Sequence, residues 1–170
     1  NSLFEAGMEI FHVYKPLFSE EEIQNYIKKI PLKYHNRIAL HSHYLKFHSL
    51  KELEVCKEKY ECAFLSPIFD SISKAGYKSK FDLRELKNYL LYQKAGRAEV
   101  IALGGIDEDK IEIVHELGFT GVAVVGALWT NKNTVEKFKR LAGLCNANKI
   151  TNRAGIDLSG FENLTGLPLR

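Results

Sequence analysis

Residues 100–128, VIALGGIDEDKIEIVHELGFTGVAVVGAL, hold two apolar runs that each leave through glycine. Val100-Ile101-Ala102-Leu103 enters Gly104-Gly105, and Val122-Ala123-Val124-Val125 enters Gly126. Short continuous apolar runs of this kind belong to strands covered on both faces, as in a parallel sheet. Between them Ile111, Val114 and Leu117 keep helical spacing, and Gly118 stops the helix. Strand, helix and strand in under thirty residues make a βαβ unit. The class is parallel α/β.

The same grammar extends outward. Met8 to Tyr14 is strand-like and ends at Lys15-Pro16. Ser19 then caps a helix, with Glu22 at capping-box spacing and Ile23, Tyr26, Ile27 and Ile30 as the apolar stripe. Arg37 to Leu40 is a second strand running into His41-Ser42-His43, and Ser49 opens a helix through Leu53 and Cys56. Cys62 to Leu65 is a third, leaving through Ser66-Pro67-Ile68-Phe69, after which Asp82 caps a helix of Leu83, Leu86, Leu90 and Leu91. Asn133 or Thr134 begins a last helix carrying Val135, Phe138 and Leu141. Five strands, each followed by a helix, are expected.

Bulk properties bound the function. At 170 residues, 45% hydrophobic and 26% charged, the chain reads as one soluble globular domain. A formal charge of +3, with lysines such as Lys28, Lys29, Lys57 and Lys59 scattered over helix faces, makes no case for nucleic acid. Cys56, Cys62 and Cys145 show no paired metal spacing, and an odd count suits a reducing compartment. No apolar stretch approaches the roughly 20 residues that span a bilayer, and no signal peptide opens the chain. A cytoplasmic protein is expected. Asn1 rather than Met comes first, so the true N-terminus is expected to lie upstream.

An open doubly wound sheet and a TIM (β/α)₈ barrel both satisfy this order. The first βα turn lacks GxGxxG, against a dinucleotide-binding sheet. Glycine turns after the last two strands favour the barrel, whose usual phosphate site lies there. Glycine lets backbone N–H groups approach a phosphate, and the following helix N-terminus adds its dipole. One such glycine alone is better read as a tight turn; two in successive units favour phosphate. A barrel needs eight strands and roughly 250 residues, so this one is expected to be incomplete. Residues 1–7 read as the end of a helix without its preceding strand, and one or two βα units are expected to be absent between Lys46 and Phe47. Residues 1–145 form the barrel domain. Residues 146–170 show no sustained period and read as a tail of unknown structure, docked or contacting another subunit; the oligomeric state stays open.

The stretches FHSLKE (47–52), CAFLSPIFDSISKAGY (62–77), VIALGGID (100–107) and GVAVVGALW (121–129) resemble thiamine-phosphate synthase and its relative, the TenI-type thiazole tautomerase. The resemblance covers roughly residues 3–129, and the order and spacing of the last three stretches are specific. It implies a TIM barrel and a transferase that joins hydroxymethylpyrimidine diphosphate to a thiazole phosphate with Mg²⁺, releasing pyrophosphate. Ser71-Ile72-Ser73-Lys74 matches the synthase Thr-x-Thr-Lys loop, which makes Lys74 the catalytic candidate, with Ser71 and Ser73 binding the diphosphate. A leaving pyrophosphate gathers charge, and hydroxyls with an ammonium stabilise it. Gly104 and Gly105 match the thiazole-phosphate cradle. Val125 and Gly126 match its second lobe, where many synthases carry Val-Ser.

Departures from the family keep alternatives open. In His12-Val13-Tyr14-Lys15-Pro16, Tyr14 stands where the family's Gln-x-Arg-Glu-Lys places a diphosphate-gripping Arg, and a phenol cannot give that bidentate charged contact. Lys15 is adjacent, but neighbouring strand residues point to opposite faces. His12 points to the barrel mouth if the family register holds. All three are carried as substrate-binding candidates. The family's Mg²⁺ aspartates fall in the portion expected to be missing, and Asp70 and Asp107 are ordinary loop aspartates with a weak claim. His48 matches the proton-moving His of the tautomerase and is the second catalytic candidate, its imidazole titrating near neutrality. His41 and His43 share a strand face but lack a third zinc ligand. A thiazole tautomerase, or a degenerate barrel that binds a phosphorylated ligand without turnover, are the alternatives.

Overall fold

The computed structural model describes residues 1–15, 17–40, 45–56, 60, 62–92 and 99–157, with the backbone alone for 14 and 153–157. Seven strands form one sheet: β1 (Ile10–Tyr14), β2 (Ile38–Leu40), β3 (Leu45–Phe47), β4 (Cys62–Leu65), β5 (Glu99–Leu103), β6 (Gly121–Val124) and β7 (Thr151–Asp157). Every pairing is parallel, in the order β2-β1-β7-β6-β5-β4-β3. Helix α1 (Ser2–Glu5) precedes β1, and α2 (Glu20–Lys28), α3 (Leu50–Val55), α4 (Leu83–Tyr92), α5 (Ile111–Leu117), α6 (Gly126–Trp129) and α7 (Thr134–Ala147) lie between strands.

The sheet curls. Along a flat sheet β1 and β4 would stand four strand spacings apart, roughly 19 Å at about 4.8 Å each. Yet the His12 ring of β1 meets the Phe64 ring of β4 edge-on with centroids 4.9 Å apart. The inward faces of the strands therefore enclose a small interior, where Cys62, Phe64, Ile101 and Ala123 cluster. The alternate residues, among them Ala63, Leu65, Ala102, Val122 and Val124, join the larger core beneath the helices. Among the described residues this is a TIM-type barrel of seven strands where a full one has eight, its order open between β2 and β3.

Local signals explain most elements. Ser19 Oγ accepts from the Glu22 N–H at 3.3 Å while Glu22 accepts from the Ser19 N–H at 2.8 Å, completing the capping box of α2. Asp82 Oδ1 accepts from the N–H groups of Arg84 and Glu85 at 2.8 and 2.9 Å, and Gly118 ends α5 at φ +95°. Two strands exceed the expected five. β3 was hidden by Lys46 at its centre, and β7 lies inside the stretch read as a tail. The absent unit expected between Lys46 and Phe47 falls a few residues earlier: both residues belong to β3, paired with Phe64 and Leu65, and the order opens between β2 and β3, with no helix among the described residues between them.

Candidate functional site

The loops after β4, β5 and β6 meet at the carboxyl ends of the strands, where a barrel places its chemistry. The loop after β4 stays laced to β5 at its root. Ile68 N–H donates to the Leu103 carbonyl at 3.0 Å and Phe69 N–H to the Gly104 carbonyl at 3.1 Å. Its tip closes on itself. Ser71 N–H donates to the Tyr77 carbonyl at 2.9 Å, and Lys74 N–H donates to Ser71 Oγ at 3.0 Å. Asp70 Oδ1 accepts from the Ser79 N–H at 2.9 Å and cinches the base. Lys74 thus projects from a braced backbone.

The glycine turns fit against that loop. Gly104 and Gly105 take φ of +93° and +68°. A Cβ on Gly104 would stand 2.8 Å from the Pro67 Cα, and one on Gly105 would run into the Asp70 carbonyl oxygen. One on Gly126 would sit 3.3 Å from Ser73 Oγ. Close loop packing requires glycine at 104 and 105, beyond any need of a ligand.

A pocket open to solvent lies between these loops. Ser71, Ser73 and Lys74 line it together with Gly104, Gly105, Val125 and Gly126. Ser66, Tyr77 and Lys46 complete the polar lining. Among the described residues no carboxylate lines it, and two lysines with four hydroxyl-bearing residues give the lining a positive formal charge. Sequence reasoning missed Lys46, although a lysine inside a short apolar strand was the available signal.

The remaining candidates lie elsewhere. His12 is buried in the barrel interior against Phe64. The Lys15 ammonium sits over the Phe18 and Tyr26 rings at 4.5 and 4.9 Å, turned towards α2, and burial lowers its pKa. The side chain of Tyr14, like His41 and His43, lies outside the described residues. His48 stands at the rim. Its Nδ1 is 2.9 Å from the Ser66 carbonyl, which can only accept, so Nδ1 carries a proton and donates it there. The imidazole does not line the pocket wall.

The residues described do not fit a magnesium site. No three His, Cys, Asp or Glu side chains converge among them. Asp70 clamps the loop. Asp107 accepts from the Glu108 N–H at 2.7 Å and pairs with Lys137 at 2.5 Å. Glu108 pairs with Lys137 and Arg140 at 3.0 and 2.9 Å, and these cations hold its carboxyl below the usual range. Both aspartates serve the fold.

No family model matches the chain. It is 28% identical over 78 residues to a thiamine-phosphate synthase of Limosilactobacillus reuteri, covering 46% of this chain and 35% of that protein. It is 33% identical over 97 residues to a thiamine-phosphate synthase of Anoxybacillus flavithermus, covering 55% and 43%. The chain thus spans less than half the length of these curated relatives. In fold it resembles the thiamine phosphate pyrophosphorylase from Bacteroides thetaiotaomicron, with a TM-score of 0.68 and 29% identity over 85% of this chain and 88% of that one. The pyrophosphorylase from Pyrococcus furiosus shares the fold alone, with a TM-score of 0.51 at 18% identity over 82% and 60%.

Proposed function

We propose that this chain, whose relatives in sequence and fold are thiamine-phosphate synthases, joins hydroxymethylpyrimidine diphosphate to a thiazole phosphate. The observation that supports it is the convergence of Ser71, Ser73 and Lys74 with the Gly104-Gly105 and Val125-Gly126 turns on one pocket without carboxylates. The bond between the pyrimidinylmethyl carbon and the diphosphate oxygen breaks, and its electron pair leaves on pyrophosphate. The thiazole nitrogen then donates its lone pair to that carbon. The Lys74 ammonium takes up the leaving charge, the serine hydroxyls orient it, and the glycine turns seat the thiazole phosphate on backbone N–H groups. Magnesium, which the family resemblance implies, would need ligands beyond the described residues, and no step above passes through it.

The tautomerase alternative is not favoured, because the His48 ring stands outside the pocket wall and the named relatives are synthases. Formation of thiamine phosphate from the two substrates is the test. Lys74→Ala should lower kcat on the order of 10²-fold, as loss of one preorganised donor does, while His48→Ala keeps the synthesis. Thiazole isomerisation as the sole activity, lost in His48→Ala and untouched in Lys74→Ala, would overturn the assignment.

A further inference from the structure

We propose that Lys46 is a second cation of the diphosphate subsite, one that the Ser-Ile-Ser-Lys loop and the glycine turns do not reveal. The proposal rests on the anion-binding reading of the pocket and extends it. Lys46 is the central residue of β3, with Phe64 as its Cα partner, and Phe64 is partnered in turn with Ile101. Phe64 and Ile101 belong to the buried cluster inside the barrel, so this row of side chains points inward. A lysine whose stem starts in such a row must carry its ammonium to a polar outlet, because leaving the charge among apolar side chains is costly. The outlet is the pocket, whose wall includes Lys46 together with Ser66, Ser71 and Lys74.

The position within the pocket selects the ligand group. Lys46 comes from β3, while Val125 and Gly126 follow β6, three strands away in the order β3-β4-β5-β6. Ser66 N–H donates to the Phe47 carbonyl at 3.0 Å, so an anion held by Lys46 lies towards the Ser66 root of the loop rather than its Ser73 tip, which packs against Gly126. Two lysines lining one pocket suit a ligand of several negative charges, and pyrophosphate is the most highly charged species the proposed reaction handles.

The test is calorimetric titration of the full chain with inorganic pyrophosphate and, separately, inorganic phosphate. Lys46→Met should weaken pyrophosphate binding at least about 10-fold, the scale of one charge-assisted contact, and phosphate binding less. Lys46→Arg should keep most of the pyrophosphate affinity. Lys87→Met, an exposed change on α4, should leave it unaltered. Should Lys46→Met fail to fold by circular dichroism, Lys46→Gln takes its place. If the native chain binds pyrophosphate and neither neutral variant weakens it, the proposal falls and the reading of the pocket stands. If the native chain binds neither anion, both fall.

Discussion

Gly76 and Gly105 share a left-handed backbone, at φ +76° and +68°, but their surroundings differ. Nothing lies within 4 Å of a Cβ built on Gly76, whereas one on Gly105 meets Phe69 and the Asp70 carbonyl. Gly76→Ala should cost only the strain of the left-handed region, about 1–2 kcal/mol. Gly105→Ala should add the roughly 1–3 kcal/mol typical of overpacking and push the 66–70 loop off β5. Urea unfolding midpoints of the two variants measure the difference; equal losses would refute the packing argument. The glycine pair was legible in the sequence as a turn. Its second cause, the approach of Pro67 and Asp70 from another unit, could not be read there. Lys15 shows the converse: its neighbours Phe18 and Tyr26 are local, yet nothing in the spacing says the ammonium prefers their rings to the pocket.

Among the elements, β7 departs most from its sequence. Thr151-Asn152-Arg153-Ala154-Gly155-Ile156-Asp157 has neither an apolar run nor alternation, and it nonetheless pairs with β1 on one side and β6 on the other. Its start is clasped by a reciprocal contact. Glu9 N–H donates to Asn152 Oδ1 at 3.3 Å, and Asn152 Nδ2 donates to Glu9 Oε1 at 3.1 Å. Asn152 is buried, so Asn152→Ala should cost about 1–3 kcal/mol and speed amide exchange in β1 and β7 well before β4 and β5. Uniform exchange across the sheet would show that the clasp does not hold β7. The helices behave otherwise. The caps at Ser19, Ser49 and Asp82 and the stop at Gly118 form where their spacing places them, because each uses partners within four residues.

For the whole molecule, the enclosed core makes stability depend on pH at the alkaline end. Cys145 on α7 is fully buried; burial, with the Glu9 carboxylate adding to it, pushes its thiol up to about 12. The folded state thus holds the proton more tightly than the unfolded chain. Its contribution is complete below about pH 9, and declines as the pH rises towards 12. Cys145→Ala should flatten the fall in urea midpoint between pH 9 and 11, whatever it costs at neutrality. An unchanged slope would assign the alkaline loss to other groups. Among the described residues no helix is long and apolar enough to cross a membrane.

What the sequence by itself determined is the alphabet of the protein: parallel α/β units, the ends of most helices, and the loop and turns that carry the candidate chemistry. Those features rest on periods, caps and glycine stops, which act over a few residues. Tertiary structure decided the rest. β7 exists because two neighbouring strands satisfy its backbone groups, whatever its side chains. β3 lies in the sheet although Lys46 interrupts its apolar run, because β4 satisfies its backbone groups and Lys46 lines the pocket rather than a closed apolar core. The order of strands, the open position between β2 and β3 and the single pocket wall shared by Lys46 and Lys74 depend on contacts between residues distant in the chain. Such contacts leave no local pattern to read, because their energy comes from surfaces that meet only after the sheet has closed on itself.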